Sequence, residues 1–206
     1  MKITILGTGN MGSGLASALV AAGHDISIGA RDPVKAVALA ETLGHGVVGG
    51  DIATASKRSD IIILALPFGA IAEVIAQIGE VAGKVLVDIS NPISPDYKEL
   101  IIGHTTSAAE EIQKLAPQAR VVKAFNTIFA QLLTPESRQG KLVQVFIAGD
   151  DEAAKSSVST LVESIHFAAM EAGPLANSRY LEPVGEMNIH FGYFLGQGPL
   201  VAPGWA

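Results

Sequence analysis

The sequence predicts an α/β protein built on a doubly wound, mostly parallel sheet, with a short helical extension at the C-terminal end. Three observations predict it. Short aliphatic runs alternate with segments of helical periodicity along most of the chain. Ile61–Leu66 is apolar throughout, as a strand covered on both faces is. Four glycines crowd into Gly7-Thr8-Gly9-Asn10-Met11-Gly12-Ser13-Gly14, between the first aliphatic run and the first helical segment.

Each element follows from its residues. Lys2–Leu6 is a β-branched and aliphatic strand. From Asn10 onward, Met11, Leu15, Leu19 and Ala22 recur at helical spacing, and Gly23 ends that helix as a C-cap. Ile26–Gly29 is the second strand. Asp32-Pro33 reads as N-cap and first residue of a helix to about Leu43. Val47-Val48 is a brief third strand and Ile61–Leu66 the fourth. Ile71–Ile78 is helical, and Val85–Ser90 is the fifth strand. Ser107-Ala108-Ala109-Glu110 has capping-box spacing and opens a helix ending near Pro117. Arg120–Asn126 is the sixth strand and Leu142–Ala148 the seventh, before a helix from about Asp151 to Ser164. Phe167–Glu171 is the eighth strand; the direction of the last two is open. The tail from Leu181 to Gly196 is helical.

Composition narrows the function. Of 206 residues, 49% are hydrophobic, enough for a real core in one domain with a small appendage. The formal charge of -6, with no basic run longer than Lys57-Arg58, argues against nucleic acid as a partner. No apolar run approaches the roughly 20 residues that span a bilayer, and the glycine turn follows too early for a signal peptide. The absence of cysteine excludes disulfides, thiol nucleophiles and cysteine-ligated clusters. The expectation is a soluble, cytoplasmic protein.

Gly7-Thr8-Gly9-Asn10-Met11-Gly12 is G-x-G-x-x-G in the strand–turn–helix setting of a Rossmann-type dinucleotide site. Gly7 permits the tight turn, Gly9 lets a pyrophosphate approach the backbone, and Gly12 lets helix pack on strand. The phosphates would face the positive end of the helix. NAD-binding domains place an acid near the end of the second strand; here Ile28-Gly29-Ala30-Arg31-Asp32 has small residues, then a guanidinium. Ala30 leaves space for a 2'-phosphate and Arg31 can pair with it, which predicts NADP(H). Asp32 reads as the helix cap rather than a ribose ligand. Lys35, one turn on, adds charge to this site or is a solvated surface residue.

At this point a family is visible. Gly7–Gly12, "IGARDP" (Ile28–Pro33), "ALP" (Ala65–Pro67), "DISNP" (Asp88–Pro92) and "VVKAFNT" (Val121–Thr127) resemble the NADP-dependent reductases of the deazaflavin coenzyme F420. The same set resembles the cytosolic domain of the six-transmembrane metalloreductases, whose membrane domain is not in this sequence. The resemblance covers residues 1–172 as an NADP-binding domain. It extends through "SRYLEP" (Ser178–Pro183) into a C-terminal extension, 173–206, that completes the acceptor site or a dimer contact. It implies that Thr8, Gly9, Asn10 and Met11 line the phosphates, with Met11 also near the ring. Ala30, Arg31 and Lys35 would hold the 2'-phosphate, and Leu66 and Pro67 would lie along the cofactor. Asn91 and Asn126 would orient the nicotinamide carboxamide or the acceptor ring; each also reads simply as an asparagine closing a turn. The resemblance further implies coenzyme F420, FMN or FAD as acceptor, and a homodimer.

No nucleophile–base pattern and no metal-ligand spacing occurs, and the five histidines are scattered. Hydride transfer between stacked rings needs mainly contact and exclusion of water, so no catalytic side chain is assigned. The tail residues Tyr180, Met187, Phe191, Tyr193 and Phe194 suit a wall for a flat ring, or equally a helix packed on the sheet or on another subunit. Two further readings stay open: a reductase of a small imine or carbonyl substrate, since "GNMGSG" also resembles pyrroline-5-carboxylate reductase, and a non-catalytic NADP(H) sensor.

Overall fold

The computed structural model describes residues 1–205. Its elements are β1 (Lys2–Leu6), α1 (Asn10–Ala21), β2 (Asp25–Gly29), α2 (Pro33–Leu43), β3 (Val48–Gly50), α3 (Ile52–Ser56), β4 (Ile61–Leu64), α4 (Phe68–Ile78), β5 (Val85–Asp88), α5 (Ala108–Leu115), β6 (Arg120–Lys123), β7 (Gln144–Gly149), α6 (Glu152–Ser164), β8 (Ala168–Glu171) and α7 (Ser178–Ile189). Two 3-10 turns, Ala130–Leu133 and Pro135–Arg138, precede β7, and a widened π turn, His190–Phe194, continues α7.

The eight strands form one sheet in the order β3-β2-β1-β4-β5-β6-β7-β8. The first six run parallel. Strand order reverses at β1 and β4, so a crevice opens beyond their C-terminal ends. β7 is antiparallel to β6, through Val122–Gly149 and Lys123–Ala148, and β8 is parallel to β7. The physical reason lies in the connection. Residues 124–143 contain only 3-10 turns and return to the sheet at the edge where β6 left it, with no crossover helix. Its 3-10 turns pack along α1, with Leu133 against Gly14 and with Thr134 and Pro135 beside Ala21 and Ala22.

Two apolar layers cover the sheet. Leu15, Leu19, Val158 and Leu161 of α1 and α6 pack with Ile3, Ile5 and Val87 on one face. Ile71, Val74, Ile78 and Ile112 of α4 and α5 pack with Leu6, Ile62, Leu64 and Leu86 on the other. Leu181 of α7 packs on Phe146 and Ala148 of β7.

Several boundaries differ from the sequence expectation. Strands expected to reach Leu66, Ser90 and Asn126 end at Leu64, Asp88 and Lys123. Apolar character continues past these points, but the ladder does not. Asp88–Lys123 is the last register pair of β5 and β6, and Phe125 then turns the chain with a φ of 59°. That left-handed conformation is strained for an aromatic residue by about 1–2 kcal/mol, and the burial of Phe125 holds it there. α3 is absent from the expectation; its five residues are too few to show a period, although Asp51 caps it through the Thr54 N–H at 2.8 Å. α7 begins at Ser178, earlier than Leu181, and holds Pro183 within it.

Candidate functional site

The glycine turn divides its labour. Gly7 has a φ of +119°, and a Cβ there would lie 2.2 Å from the Ala65 carbonyl oxygen of the neighbouring strand end. A Cβ on Gly12 would lie 2.2 Å from the Gly7 carbonyl oxygen. Both glycines are demanded by the chain itself. Gly9 is different: its φ is -73°, and a Cβ would meet nothing within 4 Å. Neither backbone conformation nor protein packing requires glycine there. Only something outside the chain would.

Gly9 is also the N-cap of α1, and no side chain caps that helix. α4, which follows β4 on the other side of the switch point, likewise starts without a side-chain cap. By contrast α2, α3, α5 and α6 are capped by Asp32, Asp51, Ser107 and Asp151. The uncapped N–H groups and positive end of α1 therefore face the crevice, an arrangement suited to an anion.

A cavity of about 250 Å³ joins Thr8 and Gly9 to Ala30, Arg31 and Lys35, with Leu66 and Pro67 on its other wall. Asp32 lies at its rim but accepts from the Val34 N–H at 3.1 Å, as the helix cap it was expected to be. A second cavity, about 520 Å³ and mostly apolar, opens on the other side of the turn. Asn10 and Met11 line it together with Tyr97, Phe129, Ile189, Tyr193 and Phe194. The Phe129 and Tyr193 rings meet edge to face at 5.2 Å. The sequence-predicted residues of the turn and rim thus divide between two cavities at the glycine turn, and Asn91 and Asn126 line neither.

Asn91 and Asn126 are brought together, and their amides bind one another. Asn126 Nδ2 donates to Asn91 Oδ1 at 2.9 Å and to the Leu181 carbonyl at 2.9 Å; Asn91 Nδ2 donates to the Asn126 carbonyl at 2.8 Å. Gly185 of α7 sits against this pair, where a Cβ would come within 2.7 Å of Asn91 Nδ2. The donors are occupied within the protein, while Asn126 Oδ1 is buried and accepts nothing.

Beneath this pair lies a cluster that sequence reasoning missed. Lys123, completely buried, donates to Asp88 Oδ2 at 2.8 Å, to Glu182 Oε1 at 2.8 Å and to the Ser90 carbonyl at 2.6 Å. Glu182 also accepts from the Ala108 and Ala109 N–H groups at the start of α5. Burial alone would lower the Lys123 ammonium, but the two carboxylates outweigh it and hold it above its ordinary range. Burial raises the Glu182 carboxyl, and Lys123 and the α5 N–H groups offset only part of that. The signal was in the sequence: Asp88 and Lys123 end apolar strands buried on both faces, where a charge requires a partner. Nearer the surface, Arg179 of α7 donates to Glu110 of α5 at 2.9 and 2.5 Å. No helix among the described residues is long and apolar enough to cross a membrane.

A doubly wound sheet with an open glycine at an uncapped helix, and a rim at the second strand end that carries Arg31 and Lys35 and whose one acid, Asp32, is taken up as a helix cap, defines a Rossmann-type NADP(H)-dependent oxidoreductase. Comparison with known proteins agrees. The family described as NADP oxidoreductase, coenzyme F420-dependent, matches residues 2–92. The F420-dependent NADP reductase of Methanothermobacter marburgensis is 33% identical, covering 92% of this chain and 92% of its own length. Metalloreductase STEAP3 of Rattus norvegicus is 33% identical over 89% of this chain, which spans only 36% of that protein. A crystal structure from Arthrobacter sp. fb24, provisionally assigned as an F420-dependent NADP-reductase, superimposes with a TM-score of 0.87 at 32% identity, covering 97% of this chain and 96% of that one. The chain belongs to the coenzyme F420-dependent NADP oxidoreductase family and uses NADP(H).

Proposed function

We propose that this protein transfers a hydride between NADP(H) and a flat ring acceptor of the deazaflavin (coenzyme F420) or flavin type. The observation that carries the reading is the apolar, aromatic 520 Å³ cavity that shares Asn10 and Met11 with the glycine turn. An apolar cavity next to the dinucleotide turn suits a ring better than it suits a small polar substrate.

In this reading Gly7 and Gly12 hold the turn, and Thr8, Gly9, Asn10 and Met11 present backbone to the pyrophosphate. Arg31 and Lys35 pair with the 2'-phosphate in the space that Ala30 leaves. Leu66 and Pro67 lie along the cofactor. Bound NADPH supplies the hydride; the chain supplies orientation and exclusion of water. The Asn91–Asn126 pair, locked by α7, braces the strand ends beside the site. Residues 173–206 act as an extension of the 1–172 domain, since Ile189, Tyr193 and Phe194 wall the ring cavity. Exposed Tyr180, Met187, Phe191 and Trp205 on the same extension support a homodimer, which light scattering tests.

The deciding experiment offers NADPH with coenzyme F420, FMN, FAD, a ferric chelate and small imines in parallel. Steady NADPH oxidation with a ring acceptor, and a raised KM for that acceptor in Tyr193→Ala at unchanged NADPH affinity, is the expected result. Turnover confined to imines moves the protein to the small-substrate reading. Tight NADPH binding with no turnover at all leaves the sensor reading.

A further inference from the structure

Glu186 stands out among the half-buried groups. Both of its carboxylate oxygens are shut off from solvent and neither accepts a hydrogen bond. Its one close partner is His190 Nε2, one turn along the same segment at 3.3 Å. A carboxylate shut off from water without strong donors is disfavoured, so the position favours the carboxylic acid, and the group holds a proton.

The location gives that proton a use. Glu186 lies one turn before Ile189, which lines the apolar cavity, and the π turn that follows brings Tyr193 and Phe194 to the same wall. The other element facing Glu186 is the segment after β5, where Asp96 acts on it and Tyr97 lines the same cavity. Gly185, the preceding residue, touches the Asn91–Asn126 pair. His190 stacks on Phe194, another cavity residue, with ring centroids 4.8 Å apart. Its side chain is 36% exposed, which opens the pair to bulk water.

We infer that Glu186 and His190 form the proton-holding pair of this site and supply the proton that a ring acceptor takes up along with the hydride. The inference rests on the ring-acceptor reading above. The balance is NADPH, acceptor and one H+ giving NADP+ and the dihydro acceptor. The C4–H bond of the nicotinamide breaks with its electron pair, a new C–H or N–H bond forms on the acceptor, and the acceptor's second site gains H+ from the pair. His190 returns a proton from solvent. In the opposite direction the pair receives the proton. Burial raises the Glu186 carboxyl above its usual range; Asp96 adds to the rise and His190 opposes it.

Two measurements test this, the first without turnover. The infrared spectrum of the wild-type protein is expected to contain a protonated-carboxyl band that persists above the pH at which ordinary carboxyls ionise and that Glu186→Gln lacks. Spectra that do not differ, at neutral pH and through the titration, overturn the inference. The second follows NADPH oxidation with FMN or coenzyme F420 across pH. Glu186→Gln is expected to lower kcat on the order of 100-fold or more at unchanged NADPH KM, and to remove the alkaline limb of the kcat profile. His190→Phe, which keeps the stack on Phe194, is expected to slow turnover and steepen its dependence on buffer concentration. Folded Glu186→Gln with wild-type kcat and pH profile overturns the donor role even if the band is present. A wild type that reduces no ring acceptor overturns the ring-acceptor reading and the donor role together, while the band still decides whether Glu186 holds a proton.

Discussion

The two sides of the strand-end crevice are built in opposite ways. The side around the glycine turn is made of neighbours in sequence: Gly7 to Gly12 and, one strand over, Ala30 to Lys35. It is open, its helix start is uncapped, and a Cβ added at its key position, Gly9, would meet nothing. The side beneath Asn91 and Asn126 is closed. Lys123 reaches a partner 35 residues back and another 59 residues ahead, and α7 seals the cluster from above. One side is shaped for something that arrives; the other is held together by the fold. Substitutions on the two sides should therefore divide cleanly between binding and stability.

The largest effect falls on the closed side. Lys123→Met leaves Asp88 and Glu182 buried against each other without a cation, and is expected to cost about 3–5 kcal/mol in urea-induced unfolding. A loss under about 1 kcal/mol would mean that the cluster is wet and the contrast false.

The glycine turn allows the comparison to be made within six residues. Gly9→Ala is expected to weaken NADPH binding about 100-fold, roughly 2.8 kcal/mol, while the unliganded Tm changes little. Alanine is a poorer helix N-cap than glycine, but its φ is unstrained there. Gly12→Ala is expected to do the reverse in part, lowering the unliganded Tm because its methyl meets the Gly7 carbonyl. Calorimetric titration and thermal unfolding on the same samples check both. Normal NADPH binding by Gly9→Ala would remove the phosphate role.

Arg31→Ala should act on binding alone. Arg31 is exposed, so stability is unaffected, while NADPH loses about 1.5–3 kcal/mol and NADH nothing. Equal affinity of the wild type for NADPH and NADH would break the assignment of this rim.

The smallest effect concerns pH and the docking of α7. The Arg179 guanidinium, with Ser107, holds the Glu110 carboxyl below its usual range against the effect of burial. A carboxyl lowered on folding contributes stability that is complete above its unfolded pKa and is lost as pH falls through the folded one. Glu182 and Glu186 are raised, so their contribution has the opposite sign: complete below the unfolded pKa and lost as pH rises through the folded one. Glu110→Gln is thus expected to be less stable than wild type near neutral pH and to converge with it in acid. A constant gap in unfolding free energy from pH 7 down through the carboxylate range would show that the Arg179 contact contributes nothing by charge.

Much of the open side was legible before any coordinates. Glycine is costly inside regular structure, so a cluster of glycines after a strand announces a backbone requirement, and the absent acid at Ala30 can be read directly. The Asp32 and Ser107 caps were equally plain, because a cap acts over three residues. The asparagines were expected at the strand ends and lie just beyond them, and nothing local showed that they bind each other.

What the sequence by itself determined is whatever depends on short range: alternating strands and helices, the caps, the glycine turn and the basic residues at Arg31 and Lys35. The tertiary structure alone decided the antiparallel direction of β7, the Lys123–Asp88–Glu182 cluster, the mutual locking of Asn91 and Asn126, and the second cavity shared by Met11, Phe129 and Tyr193. The reason is physical. Backbone conformation and capping are governed by neighbours a few residues apart, and their preferences leave a mark on composition. A buried charge or an amide pair is satisfied by whichever partner the packed chain brings within about 3 Å, and that partner may be any residue in the sequence.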